Sequence, residues 1–177
     1  NNVTANQNGG FTLNTNKDDY SCECLVIATG GKSIPKMGAT AFGYDIANKF
    51  GLKIIPPRAA LVPFVFEGKM LEYVRSLAGL SLDVAVKCNT AQFNEAMLFT
   101  HRGLSGPAIL QISSYWQDGD EVSVNLTPNV DIFELLIKEK SRDSKQKPLG
   151  ILSKILPKRL AARICEDNNT NRKLAEI

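Results

Sequence analysis

The sequence contains no GxGxxG, no Walker loop, no GxSxG nucleophile elbow and no paired carboxylates or metal ligands at a recognisable spacing. A complete dinucleotide site, a P-loop and a serine-hydrolase elbow are therefore excluded within these residues. Long hydrophobic runs are missing too. Stretches such as Leu61 to Phe66 are far too short to span a bilayer, and no basic segment followed by an apolar one opens the chain. No membrane partner is expected. The four cysteines, Cys22, Cys24, Cys88 and Cys165, form no CxxC pair and are too sparse for a secreted disulfide scaffold. They are expected to be free, buried thiols, with Cys22 and Cys24 on one face of a strand, and a reducing cytoplasm is the expected compartment. An initiating methionine is also lacking, and Asn171 to Ile177 begin a helical pattern that stops without a cap. A piece of a longer protein is expected.

Charge of one sign is scarce overall. The formal net charge is +3, which argues against nucleic acid as a partner. The surplus lies after Asp131, in Lys138, Lys140, Arg142, Lys145, Lys147, Lys154, Lys158, Arg159, Arg163, Arg172 and Lys173. Such side chains on the outer faces of helices ordinarily serve to solvate them. With 44% hydrophobic and 22% charged residues, 177 residues suffice for one large or two small globular domains.

Periodicity supplies the elements. Phe11 to Asn14 and Tyr20 to Ala28 read as strands joined by the polar turn Asn16 to Asp19. The second strand alternates at first, then becomes continuously apolar over Leu25-Val26-Ile27-Ala28, as in a strand covered on both faces of an α/β sheet. A helix over Gly43 to Phe50 is closed by Gly51, and Ile54 to Arg58 read as an extended crossing. Ala60 to Thr127 read as mostly β, with strands at Leu61 to Phe66, Leu80 to Lys87, Gln92 to Thr100 and Val122 to Leu126. One helix, Pro107 to Trp116, interrupts them. The remainder is helical: Asp131 and Glu134 make a capping-box start, Leu149 to Leu156 form a second helix, and Pro157 opens a third with Leu160, Ala161 and Ile164 inward.

Two segments could carry chemistry. Ala28-Thr29-Gly30-Gly31 ends an apolar strand, where ligands gather in α/β sheets and where consecutive glycines let backbone approach a ligand; a plain tight turn reads the same way. Phe99-Thr100-His101-Arg102-Gly103-Leu104-Ser105-Gly106-Pro107 leads into a helix, with Ser105 at a plausible N-cap. It could offer donors to an anionic or carbonyl group, or it could be a capped turn holding a structural histidine.

The strings LVIATGGKSIPKMGATAFGYDIANKFGL, PPRAALVPFVF, LAGLSLDV, LFTHRGLSGPAILQISSYW, VNLTP and ILPKRLAARI, in this order between Cys24 and Ile164, resemble the HI0933-like flavoproteins. These are the YhiN or BaiN-like group of NAD(P)/FAD-dependent oxidoreductases. The resemblance implies an α+β chain holding the incomplete edge of an α/β FAD-binding domain (residues 1–57), an inserted β-barrel-like domain (58–128) and a helical subdomain (129–177). It implies a flavin-dependent oxidoreductase in the full-length protein, inactive as this piece alone, with FAD as cofactor, NAD(P)H as a candidate reductant and a small-molecule substrate. The rest of the FAD-binding domain would be its partner. Thr29, Gly30, Gly31, Lys32 and Ser33, with Gly43 and Tyr44, would lie on the cofactor side, and His101, Arg102 and Ser105 on the substrate side. The competing expectations are a partner- or RNA-binding module using the basic C-terminal helices, and a structural lid or dimerisation element.

Overall fold

The structure, a computed structural model, describes residues 2–142, 145–170 and 173. The uncapped helical pattern expected for 171–177, with Arg172 among its basic residues, lies outside the described residues apart from Lys173. The chain divides into two compact units, Asn1–Arg58 and Ala59–Ile177.

The first unit is an antiparallel meander with one helix on it. Strands β1 (Asn2–Ala5), β2 (Phe11–Asn14) and β3 (Asp19–Cys22) pair in chain order, with Val3 opposite Leu13 and Leu13 opposite Tyr20. The Thr15 hydroxyl closes the β2–β3 turn by accepting the amides of Lys17 and Asp18 while donating to the Asp18 carbonyl. Helix α1 (Phe42–Lys49) buries Ile46 and ends at Gly51, whose positive φ of 74° lets Leu52 donate back to Ala47, as anticipated. It is tied to the sheet by Lys49, which donates to Asn2 Oδ1 and the Val3 carbonyl, and by the edge-on contact of Phe50 with Phe11.

The apolar run Leu25 to Ala28 departs from expectation. It forms no strand, and Val26 is 85% exposed. The reason is that a parallel-sheet strand exists only through its neighbours, and no amide between Cys24 and Ile34 finds a backbone acceptor among the described residues. The expected edge of an α/β sheet is thus not formed by this segment. Cys24, past the end of β3, is exposed and Cys22 half-buried, so the pair does not pack into a core; Cys88 and Cys165 are buried, and all four thiols are free.

The second unit is built on a curled five-stranded antiparallel sheet ordered β4-β7-β6-β5-β8. Its strands are β4 (Phe64–Val65), β5 (Ser81–Cys88), β6 (Ala91–Phe99), β7 (Gly103–Ser105) and β8 (Ser123–Asn125). Alternation along β5 sends Val84, Val86 and Cys88 inward, and β6 adds Met97 and Phe99. Onto this face pack α2 (Gly68–Ser76), α3 (Pro107–Ser113) and α6 (Lys158–Asp167), through Val74, Ala108, Ile109, Ile112, Leu160, Ala161 and Cys165. Helix α4 (Ile132–Ser141) starts as expected, with Asp131 Oδ1 accepting the Glu134 amide, and α5 (Pro148–Leu152) brings Ile151 and Leu152 into the interior. The strand expected over Leu61 to Phe66 shrinks to two residues. Pro63 has no amide to give a ladder, and the amides of Leu61 and Val62 go instead to the hydroxyls of Ser114 and Ser113. Among the described residues, no helix is long and apolar enough to cross a membrane.

Candidate functional site

In the first unit, the first turn of α1 brings Gly43 and Tyr44 beside the loop that follows Ile27. A Cβ on Gly43 would lie 3.2 Å from Thr29 Oγ1 and 3.9 Å from the Gly30 carbonyl, and one on Gly31 would lie 3.4 Å from the Tyr44 hydroxyl. Small residues are what allow helix and loop to approach this closely. Lys32 Nζ stands 5.6 Å from the centre of the Tyr44 ring, a cation–π contact. Thr29, Gly30, Gly31, Lys32, Gly43 and Tyr44 therefore form one group, although up to fifteen positions separate them. Ser33 is exposed in the same loop, and no hydrogen bond among the described residues ties it to α1. The group presents hydroxyls, an ammonium and a run of amides that find no acceptor among the described residues, so its chemistry suits a ligand rich in carbonyl oxygens or phosphates.

In the second unit, the segment from Thr100 to Pro107 is a tight hairpin rather than a loop. Thr100 donates through both its amide and its hydroxyl to the Gly103 carbonyl, at 2.8 and 2.9 Å, and its hydroxyl accepts the amides of Arg102 and Gly103. A Cβ on Gly103 would sit 1.9 Å from the Phe64 carbonyl oxygen, and one on Gly106 2.7 Å from the Ala96 carbonyl oxygen. Both glycines thus serve the packing of strands. Ser105 does not cap α3: it pairs with Leu98 in β7, and Gly106, at φ 93°, takes the N-cap position without a side-chain bond. His101 and Arg102 are exposed at the hairpin tip, their carbonyls accepting Arg75 Nε at 3.3 Å and the Phe66 amide at 3.1 Å.

Sequence reasoning missed α2, and with it two residues around which the neighbouring elements gather. Arg75 reaches the hairpin tip, while the ring of Tyr73 carries the Arg163 guanidinium of α6, 4.9 Å from its centre. Burial pushes the Tyr73 phenol pKa up, Asp167 adds to the rise, and Arg163 opposes it. Arg159, also on α6, donates to the Ala78 carbonyl just past α2. The Cys88 thiol is pushed up chiefly by burial, with Asp120 contributing. The inner face of the sheet also bounds an apolar concavity of about 550 Å³ lined by Phe64, Phe99, Leu104 and Trp116 among others. No group of three or more acidic, histidine or cysteine side chains able to hold a metal ion occurs among the described residues.

The sequence pattern of the HI0933-like protein barrel and H2TH domain matches residues 58–177. The chain is similar to a protein of Escherichia coli (strain K12) named ribosomal RNA dihydrouridine synthase, 49% identical over 156 residues, which cover 88% of the chain and 39% of that relative. It is also similar to one of the same name from Haemophilus influenzae, 45% identical over 152 residues, covering 85% of the chain and 37% of the relative. The chain thus spans about two fifths of the length of these curated relatives. Their names overturn the expectation that nucleic acid is an unlikely partner, since both are named for an RNA. The misreading came from the small net charge and from taking the basic residues after Asp131 as merely solvating their helices. On the match over its larger unit, the chain belongs to the HI0933-like family, of which it carries the barrel and H2TH domain.

Proposed function

We propose that the protein to which this chain belongs reduces uridine in ribosomal RNA to dihydrouridine, using FAD. The observation that carries this reading is the 49% identity, over nearly nine tenths of the chain, to a relative of that name. The group around Thr29 and Tyr44 supports a flavin: its amides, hydroxyls and ammonium complement the carbonyls and phosphates of FAD, and its glycines keep the backbone bare. A flavin, when bound, supplies the hydride that saturates the uracil C5–C6 double bond, the other carbon taking a proton.

What the chain's own residues do is bind and orient. The amides from Ala28 to Ser33 would hold the cofactor by donating to it, with Gly30 leaving open space over the loop. Lys32, steadied by Tyr44, would supply a positive charge to it. His101 and Arg102 meet the RNA from the hairpin tip, and Ser105 helps set the hairpin's geometry from within β7. NADH or NADPH is the proposed external reductant.

The test is anaerobic. The full-length protein, loaded with FAD and bleached with one equivalent of NADPH or NADH, is mixed with unmodified ribosomal RNA. Return of the oxidised flavin absorbance in proportion to RNA added is the expected result. A flavin that stays reduced, or a protein that takes up no flavin, overturns the reading.

A further inference from the structure

We infer that the face formed by α2, the β6–β7 hairpin tip and α6 is the surface on which the phosphate backbone of a folded RNA docks. The inference rests on the RNA-reducing function proposed above and says where that substrate is held.

Residues distant in sequence meet here. Arg75, near the end of α2, is anchored on the His101 carbonyl at 3.3 Å. Arg159 is anchored on the Ala78 carbonyl, and Arg163 lies over the Tyr73 ring at 4.9 Å. Arg102 projects from the hairpin tip between β6 and β7. Together the two helices and the tip carry Lys69, Arg75, Arg102, Lys158, Arg159 and Arg163 against Glu72, Glu166 and Asp167. Six cations less three carboxylates leave a surplus of three, equal to the whole chain's net charge of +3, so the remainder of the sequence is neutral on balance.

The kind of cation favours phosphate. Arg75 and Arg159 each spend only part of a five-donor fork on a backbone carbonyl, which fixes the guanidinium and leaves N–H groups free for bidentate bonds to phosphate oxygens. Arg163 is partly neutralised by Asp167 at 3.1 Å, but its plane, backed by Tyr73, is the sort of platform on which an unpaired base stacks. Helix α4, in contrast, intersperses Lys138 and Lys140 with Glu134 and Glu139, and Glu139 pairs with Arg142 at 3.0 Å.

The experiment measures binding of the full-length protein to a fluorescein-labelled RNA stem-loop with a uridine-rich loop, by anisotropy over a series of salt concentrations. The triple variant Arg75→Gln, Arg102→Gln, Arg159→Gln should bind about tenfold more weakly or worse and lose about two from the salt slope. The charge-matched variant Lys138→Gln, Lys140→Gln, Lys147→Gln should weaken binding less than about twofold with the slope unchanged. Arg102→Glu alone, a change at an exposed tip that leaves both anchored arginines in place, should also weaken binding, which guards against misfolding of the triple variant. Equal losses in both triple variants, or none in either, overturn the docking face. If dihydrouridine still forms at the wild-type rate in the Arg variants, the face is wrong and the function stands. If wild-type protein neither binds the RNA nor reduces it, the function falls and the docking face falls with it.

Discussion

Replacing Gly103 with alanine puts a methyl group 1.9 Å from the Phe64 carbonyl oxygen, 2.9 Å from its carbon and 3.0 Å from Val65 Cα. Ordinary contact begins near 3.4 Å, so something must move by about 1.5 Å, and all three atoms are backbone. Strand β4 must leave β7, losing the Phe64–Leu104 and Val65–Gly103 pairing and straining the Phe66-to-Arg102 hydrogen bond. Overpacking of about 2 kcal/mol and one lost hydrogen bond of about 1 kcal/mol give roughly 3 kcal/mol. With a urea slope of about 2 kcal/mol/M, the midpoint falls by about 1.5 M. The assay reads the fluorescence of Trp116, the chain's single tryptophan, whose ring meets Phe64 edge-on at 5.6 Å. Gly79→Ala is the control. Gly79 also has positive φ, 86°, but open space where its Cβ would be, so only the backbone conformation costs, about 1 kcal/mol before the gain from a stiffer unfolded chain. A Gly103→Ala midpoint within about 0.3 M of wild type would refute the close-packed hairpin.

Gly43→Val should lower flavin content without moving the Trp116 unfolding transition, because the substitution crowds Thr29 and Gly30 in the other unit; unchanged flavin absorbance would remove Gly43 from the cofactor group. Asp131→Ala removes the cap of α4 and should cost about 1 kcal/mol in urea denaturation, with Asp131→Asn restoring most of it. Thiol labelling of the folded protein should modify Cys24 first and Cys88 only on unfolding, since Cys88 is buried and its raised pKa keeps it protonated. For Tyr73 the folded pKa is raised above its ordinary 10.0, so the folded state holds the proton more tightly. Its contribution is fully present below pH 10 and is lost as pH rises through the folded value, so Tyr73→Phe should flatten the fall in stability above pH 10.

The parts of the fold written in local pattern could be read from the sequence. Alternation marks β5, β6 and β8, the Asp131–Glu134 spacing marks the start of α4, and Gly51 marks the end of α1. What depends on partners could not. Leu25 to Ala28 have the composition of a buried strand, yet no strand forms without neighbours to pair with. Helix α2 escaped notice because it opens on Gly68 without a side-chain cap and buries only Val74 completely. β1 and β7 are short and carry one fully buried residue each, Val3 and Gly103, too little for a period to emerge. The candidate sites follow the same division. Thr29 to Gly31 and His101-Arg102 stand out as strings, but the meeting of Gly31 with Tyr44 and of Arg75 with the hairpin tip exists only once the chain has folded. The basic surplus after Asp131 is visible in the sequence, but its meeting with Arg75 and Arg102 is not, because these residues lie far from Arg159 in the chain and come together only around α2.

The most direct measurement is the dihydrouridine content of ribosomal RNA, by mass spectrometry of its nucleosides, after incubation of unmodified RNA with the full-length protein, FAD and NADPH or NADH. Dihydrouridine that accumulates with time, requires flavin and is diminished in Gly43→Val is the predicted result. Ribosomal RNA that gains no dihydrouridine, from a protein shown to be folded and loaded with flavin, contradicts the account.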